Sequence, residues 1–495
     1  MRALSNFPLE IFGDRSEYPF DEILSFGPAN GRRAGDRVFP YDIVFDASRQ
    51  DIYELLASLP DGFVPDVLLF VWPDQDPIPS KLEQCPIPTL AFVSDYNLAL
   101  PLYLRSWPFF DLVLCDRPGL QVLGSLPFAR VEPICQFSFR PDVHHIYREP
   151  SGKPIDRDID ICFVGNLNPQ IQRERSLYLE RLQALSGQHK VFIGSTPQGE
   201  AYGRMLSRSR ITFNRSIRGE INLRCFEAPA CGSLLFIERE NQEIRDYFED
   251  GREVVLYSPE DLELKLKYFL SHEEERAAIA ARGHKRVQQY RLASHLHGLP
   301  DLIRQLDRAQ RPIADALTTE LGRGELQLLT WASGGPLLSP LVKAVQRAPH
   351  SALARNQLAV AMLARCADQV SPQDAYEHLA AATHLDPSYL PARWNLCLLA
   401  EQTGQVELRK AILSDIEQIL SKSPLKPSSL DGFVLPLNYS SKQREQAGAW
   451  CAAQREGFIT PVEALHRHWL NQEMSQLAAA EPVSEQAPLS PAPAL

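Results

Sequence analysis

The feature that most constrains this chain is a series of short, nearly unbroken apolar runs. Val67–Val71, Thr89–Val93 and Phe109–Cys115 are each closed by a polar or turn-forming stretch. Asp160–Val164, Lys190–Ile193, Ile211–Asn214, Leu234–Ile237 and Val254–Tyr257 continue the pattern further on. Segments of helical character alternate with them: Ile52–Leu59, Leu120–Leu126, Arg173–Leu185, Tyr202–Ser207, Asn241–Phe248 and Leu262–Leu270. A strand that is apolar along its whole length has to be covered on both faces. Parallel strands joined by helices meet that condition. The chain therefore reads as α/β with parallel sheets. Ahead of Tyr41 the pattern is weak: only Leu4–Phe12 resembles a strand, and Asp42–Phe45 begins the clear alternation.

A polar stretch with Gly and Pro, Arg148–Asp158, divides the alternating region in two. The expected organisation is a first Rossmann-like lobe over residues 1–150 and a second over 151–310. A ligand would sit between them, facing the carboxyl ends of the strands. Beyond Leu306 strand signals fade, and 311–475 reads as a helical module. Ala354–Ala359 is echoed by Ala392–Cys397 at an offset of 38 positions, each followed by a second helix, Gln373–Leu385 and Val406–Leu420. That spacing is longer than a tetratricopeptide period of about 34 residues, with Ala367–Ser371 as the place for the extra residues. Further helix is expected at Glu445–Gln454 and Pro461–Met474, and a disordered Pro-, Ala- and Ser-rich tail over 476–495.

Composition excludes some classes. With 51 basic and 62 acidic residues and a formal net charge of -11, the chain is no general nucleic-acid binder. Nine cysteines without a CxxC pair fit small buried hydrophobes in a reducing compartment. No positive segment followed by an apolar run opens the chain, and no stretch has the length to span a bilayer, so a cytoplasmic protein is expected.

Two motifs carry chemistry. Gly165-Asn166-Leu167-Asn168 follows the Asp160–Val164 strand, where a glycine lets backbone approach a phosphate. The block Asn222 to Gly232 places Arg224 and Glu227 three apart, on one helix face. Asn222 is the expected N-cap. Arg224 offers a fork for phosphate and Glu227 an acceptor for two ribose hydroxyls. Pro229 is awkward, and implies a kinked helix or a later start. On spacing alone an exposed ion pair on a surface helix explains Arg224 and Glu227 as well.

This block resembles the segment shared by two-lobed glycosyltransferases of the group-1 kind, with their Glu-Ala-x-Ala-x-Gly signature. It is closest to the CgeB-like branch. Phe163-Val164-Gly165-Asn166, Asn222 to Gly232, the turn and helix from Tyr257 to Leu262, and His272 to Arg276 with Gly283 carry the likeness. It covers residues 158–310; 41–150 agree in outline and 311–495 lie outside it. The resemblance implies a GT-B fold, two Rossmann-like lobes facing a cleft, with a nucleotide-sugar donor on the second lobe. Glu227 would bind the donor ribose, and Arg224 with the Gly165–Asn166 turn would face the diphosphate. Glu220 lies near an acidic position that contacts the donor sugar in relatives, but one place off the common spacing. The helical module stands behind this core as an α-helical, tetratricopeptide-like addition.

If the reaction inverts, the base would come from the first lobe: Asp95 after the Thr89–Val93 strand, or Asp116 after Phe109–Cys115. For either, a cap or a surface carboxylate is the plainer explanation. Trp72, Asp74-Gln75-Asp76 and Tyr96 would line the acceptor side. His144 and His145 have no spaced partner, and Asp158-Ile159-Asp160 enters a strand instead of ending one, so neither metal nor cofactor is assigned. The acceptor stays open between protein, glycan, lipid and small metabolite; the helical module favours a macromolecule and offers a surface for a protein partner. The competing readings are a catalytically degenerate scaffold, a sugar-nucleotide epimerase, and an interaction protein acting through its helices.

Overall fold

The computed structural model describes residues 1–34, 37–96, 103, 106–167, 173–195, 199–217, 219–306, 314–329, 338–367, 370–421, 425–435, 469–471 and 473–475. They form two compact units. The first holds the described residues of Met1–Pro73, Lys81–Ser94 and Phe109–Arg311, the second those of Asp74–Ser80, Asp95–Pro108 and Pro312–Leu495. Asn168, most of the expected Glu445–Gln454 and Pro461–Met474 helices, and the tail lie outside the described residues.

The first unit contains two parallel sheets. The larger is built from β1 (Arg2–Ser5), β2 (Glu22–Gly27), β5 (Ile43–Val44), β6 (Val67–Val71), β7 (Thr89–Phe92), β8 (Leu112–Cys115) and β9 (Val131–Pro133), in the order β5-β2-β1-β6-β7-β8-β9. Between β2 and β5 the strands β3 (Arg32–Ala34) and β4 (Arg37–Phe39) make a separate antiparallel pair. The weakly patterned N-terminus thus supplies central strands. Leu4–Phe12 is not one strand: β1 stops at Ser5, and Pro8 precedes a 3-10 turn at Leu9–Ile11. Beyond β1, the Asn6 side chain continues the pairing by accepting the Val71 N–H at 2.7 Å and donating to the Val71 carbonyl at 3.3 Å. Phe109–Cys115 is likewise shorter than expected. Asp111 turns its carboxylate to the Thr89 N–H (2.8 Å) and hydroxyl (3.0 Å), and the strand begins only at Leu112.

Among the described residues, two α-helices lie between strands of this sheet: α1 (Ile52–Ala57), with a capping box between Asp51 and Glu54, and α2 (Arg117–Leu123). The second sheet is β10 (Ile159–Val164), β11 (Val191–Gly194), β12 (Ser209–Phe213), β13 (Leu234–Glu238) and β14 (Val255–Tyr257), in the order β11-β10-β12-β13-β14. Its helices are α3 (Arg173–Gln183), α4 (Glu200–Arg208), α5 (Arg224–Ala230), α6 (Ile244–Tyr247), α7 (Leu262–Ser271) and α8 (Glu273–Val287). The chain then returns to the first sheet. On α9 (Leu292–Leu296) and α10 (Leu299–Arg304), the residues Leu292, Leu296, Leu299 and Ile303 bury themselves with Phe7, Val67, Leu69 and Leu90. This is the expected GT-B architecture: two Rossmann-like sheets with helices behind.

Polar bonds tie the two lobes of this unit. The Glu243 carboxylate accepts the Arg117 N–H from the first lobe at 3.1 Å and the Ile221 N–H from the second at 2.9 Å. The Arg117 guanidinium pairs with Asp246, and the Ser138 hydroxyl donates to the Tyr290 carbonyl at 2.7 Å.

His295, on α9, sits against Phe226, Tyr247 and Tyr290, with its Nε2 buried and unbonded. Burial pushes its imidazole down to about 4. The folded pKa lies below the unfolded one, so the unfolded chain binds the extra proton. Stability present above pH 6.5 is therefore lost as pH falls toward 4, by about 3 kcal/mol for this group. His295→Phe is expected to flatten that part of the stability curve, measured by urea unfolding at pH 7 and pH 5. A parallel acid loss in wild type and variant would contradict it.

The described helices of the second unit are α11 (Ala316–Leu329), α12 (Leu338–Arg347), α13 (Ala352–Arg365), α14 (Pro372–Leu385), α15 (Leu390–Gln402) and α16 (Val406–Ser421). Each packs on its successor, and the chain turns from α14 into α15 at Asp386-Pro387. Ser351 and Ser371 cap α13 and α14.

Candidate functional site

The carboxyl ends of β10 and β12 converge on the start of α5. Asn214, directly after β12, is fully buried and organises the junction. Its side-chain oxygen accepts Arg224 Nη1 at 2.5 Å and Asn222 Nδ2 at 3.2 Å, and its carbonyl accepts the Tyr257 hydroxyl at 2.8 Å. Arg224 Nη2 donates to the Val164 carbonyl at the end of β10, and the guanidinium lies over the Phe163 ring, 4.6 Å from its centre. Arg224 Nε is buried and makes no hydrogen bond.

Gly165 is where the turn passes this guanidinium. A Cβ at that position would stand 2.6 Å from Arg224 Nη2, so a larger residue would push the guanidinium from the place it holds against the Val164 carbonyl. Asn166 beside it is exposed. The turn and Arg224 are thus brought together, as the sequence suggested.

The start of α5 differs from expectation. Asn222 does not cap the helix with its side chain, which is turned to Asn214; the N-cap is Leu223, without a side-chain bond. The helix begins at Arg224 and ends at Ala230, so Pro229 stands inside it and removes the N–H that would bond the Cys225 carbonyl, one residue before the helix stops. Gly232 follows with a φ of 72°, a conformation that glycine supplies at low cost.

Glu227 lies one turn beyond Arg224 and is only 7% exposed, so it is not the surface ion pair that spacing alone allowed. It faces α4 and the segment ahead of β10. The Tyr202 hydroxyl donates to Glu227 Oε2 at 2.7 Å, and His144 Nε2 stands 3.5 Å from Oε1. The His144 ring meets Tyr202 edge-on, with centroids 5.7 Å apart. Since the Arg140 N–H donates to His144 Nδ1 at 3.0 Å, the neutral imidazole carries its proton on Nε2, toward the carboxylate. Burial lowers the His144 pKa, with Glu227 opposing the shift. Burial, and next the Glu227 charge, raise that of Tyr202 well above its ordinary value. Near neutral pH the site therefore holds a neutral phenol and an imidazole with an Nε2–H, both around one carboxylate.

Residues 168–296 match a family model described as glycosyl transferase-like. Among curated proteins nothing matches. Solved structures similar to this chain include TarM, at 10% identity and a TM-score of 0.36, over 48% of this chain and 54% of that one. Sucrose-phosphate synthase (tll1590) from Thermosynechococcus elongatus is 12% identical, with a TM-score of 0.41 over 62% of this chain and 98% of that one. Anabaena Alr3699/HepE in complex with UDP and glucose is 13% identical, with a TM-score of 0.39 over 62% and 100%. The chain spans about half the length of TarM. The family match encloses α5.

The other expected residues are distributed as follows. Glu220 accepts the Ile217 N–H at 2.7 Å and is half-buried. Asp116 is the N-cap of α2: its side chain accepts the Gly119 N–H at 2.6 Å, and it is 7% exposed. Asp95 belongs to the second unit and has a φ of 48°, a left-handed conformation that Asp tolerates better than most residues. Tyr96 is buried, which removes its ring from the surface a stacked sugar would need. Asp158 pairs with Lys190 and Arg208, and Asp160 with Arg210. Among the described residues no cluster of three His, Cys, Asp or Glu side chains could hold a metal, and no helix is long and apolar enough to cross a membrane.

Sequence reasoning missed Asn214, Tyr202 and the role of His144. Arg215 was also missed: its Nε and Nη1 are buried without hydrogen-bond partners, although Nη1 lies 3.7 Å from Glu240. None of these bears a local signal, because each acquires meaning from a strand end or a helix distant in sequence.

Proposed function

We propose that this protein is a nucleotide-sugar-dependent glycosyltransferase whose donor lies at the carboxyl ends of β10 and β12. The carrying observation is that the Gly165 turn meets Arg224, one helical turn ahead of Glu227, with both side chains inside a segment that matches a glycosyl transferase-like family. In this reading the Gly165–Asn166 turn and Arg224 face the diphosphate. Arg215 is a second cation for it, and Glu227 accepts the ribose hydroxyls. Stabilising the departing diphosphate lowers the barrier for glycosyl transfer through charge that is already oriented before reaction. Asp95 and Asp116 are the candidate bases for an inverting reaction, and Glu220 is the candidate contact to the donor sugar. The acceptor would be macromolecular, with the tetratricopeptide-like helices as its docking surface, and the setting cytoplasmic.

One observation favours a second reading. Arg224 and Glu227 already have protein partners in Val164, Asn214, Tyr202 and His144. A scaffold that has lost catalysis would keep such bonds for stability alone. Calorimetric titration of the native protein with UDP-, GDP- and ADP-sugars separates the two. Saturable binding of one nucleotide class, reproduced by its free diphosphate, is expected for a transferase. No heat with any of the three leaves the scaffold.

A further inference from the structure

The helices of the second unit hold an extended stretch of their own chain by its backbone. Tyr389, at the start of α15, donates its hydroxyl to the Asp431 carbonyl at 2.6 Å. The Phe433 N–H donates to Gln357 Oε1 of α13 at 2.9 Å. The Phe433 carbonyl accepts Asn356 Nδ2 at 3.1 Å and Asn395 Nδ2 at 2.9 Å. The Leu435 N–H donates to Asn395 Oδ1 at 2.7 Å. Asn395 thus reads a carbonyl and the N–H two residues later, the spacing an extended strand presents on one edge. Gln357 and Asn395 occupy equivalent places in the 38-residue echo, so successive helical units receive alternate N–H groups of the segment.

The three amide side chains are fully buried. Asn395 Nδ2 also donates to Asn356 Oδ1 at 2.9 Å, and Gln357 Nε2 to Glu325 Oε1 at 2.6 Å, which fixes the direction of each amide. A buried amide left without partners costs about 1–3 kcal/mol, so this face demands an extended backbone against it. A purely structural helix contact would be met by apolar side chains at lower risk. Phe433 and Leu435 fill one apolar cluster with Leu321, Leu341 and Leu358, and Val434 fills another with Trp394. At Gly432 a Cβ would stand 2.3 Å from the Tyr389 hydroxyl, and φ is 134°. The backbone contacts tolerate any sequence; glycine at that one position and apolar side chains after it supply selectivity.

We propose that this face is a binding site for extended polypeptide of the form Gly followed by three apolar residues, and that Asp431–Leu435 is a displaceable internal occupant. The partner class is an unfolded segment of another protein, captured chiefly by its main chain. This does not depend on the donor site. If both hold, the transferase carries its own reader for a polypeptide acceptor or adaptor.

The test uses the full chain and a fluorescein-labelled peptide of residues 429–435. Gly432→Ala expels the internal segment, because the new methyl group meets Tyr389. The variant is expected to bind the peptide at least about tenfold more tightly than wild type, in which the occupant competes. Adding Asn395→Ala abolishes binding, and a peptide carrying alanine in place of its glycine does not bind. A folded Gly432→Ala variant, with wild-type helical circular dichroism, that ignores the peptide overturns the proposal. If that variant loses its helices, hydrogen exchange on the wild type decides. Phe433 and Leu435 amides that exchange well before those of α13 and α15 support a displaceable occupant. Equal protection shows a fixed structural part and overturns it.

Discussion

Glu227→Gln is expected to weaken nucleotide-sugar binding by about 30-fold or more while leaving the fold intact. The substitution keeps the volume of a side chain that is 7% exposed and retains an acceptor for the Tyr202 hydroxyl. It removes the negative charge. Hydrogen bonds from ribose hydroxyls to a carboxylate are worth about 1.5–3 kcal/mol each, and those to a neutral amide about half as much. The amide also either turns an N–H₂ toward the His144 Nε2–H, where only an acceptor fits, or loses one of the two acceptors that the carboxylate offers the ribose. The loss should appear in the binding constant for donor and for free nucleoside diphosphate alike, since the ribose is common to both. Titration calorimetry measures it, with the melting temperature as control. Unchanged affinity in a folded variant would remove Glu227 from the donor site and favour the scaffold reading.

Gly203→Ala should be more damaging to stability than its position on a helix suggests. Alanine normally improves a helix over glycine by about 1 kcal/mol. Here a Cβ would stand 2.1 Å from the Val143 carbonyl and 2.9 Å from the Tyr147 ring, so α4 touches the segment ahead of β10 through the glycine itself. Relieving that overlap means moving backbone, at a cost of about 1–3 kcal/mol. The Val143 carbonyl also accepts the Tyr147 hydroxyl at 3.0 Å, which ties the displaced stretch together. Moving Val143 carries His144 with it, away from Glu227. The expected result is a net loss of stability in urea unfolding, together with weaker donor binding at temperatures where the variant is folded. A gain in stability of the size helix propensity alone provides would show that the close approach is absent in solution.

The two substitutions bear on what can be read from sequence. Val67–Val71 has its strand limits in the bare chain, because a continuous apolar run between Pro65-Asp66 and Trp72-Pro73 allows little else. The second sheet was legible for the same reason, from β10 through β14. In contrast, β2 contains Glu22 and Ser25 in a run that does not look buried, yet it is an interior strand of the first sheet, between β5 and β1. Its fitness depends on Asp42, which accepts the Ser25 N–H at 2.7 Å and hydroxyl at 2.8 Å. Nothing in a local window reveals such a partner.

The candidate site divides along the same line. Gly165, Arg224 and Glu227 were selected from the chain, and Arg224 does meet the Gly165 turn. The cap assigned to Asn222 was not realised, because Asn214 competes for its amide and for Arg224. His144 had no spaced partner in sequence, yet its ring stands against Glu227 and Tyr202.

The chain by itself determined the parallel sheets, the helical region behind them and the residue types able to hold a diphosphate. These follow from periodicity and backbone preference, which act over a few neighbours. Tertiary structure alone decided which polar groups are buried together: Glu227 with Tyr202 and His144, Arg224 with Asn214, and the Asp431–Leu435 backbone with Gln357 and Asn395. A buried polar atom must find a partner wherever the fold provides one, and strand ends and helix faces distant in sequence provide it.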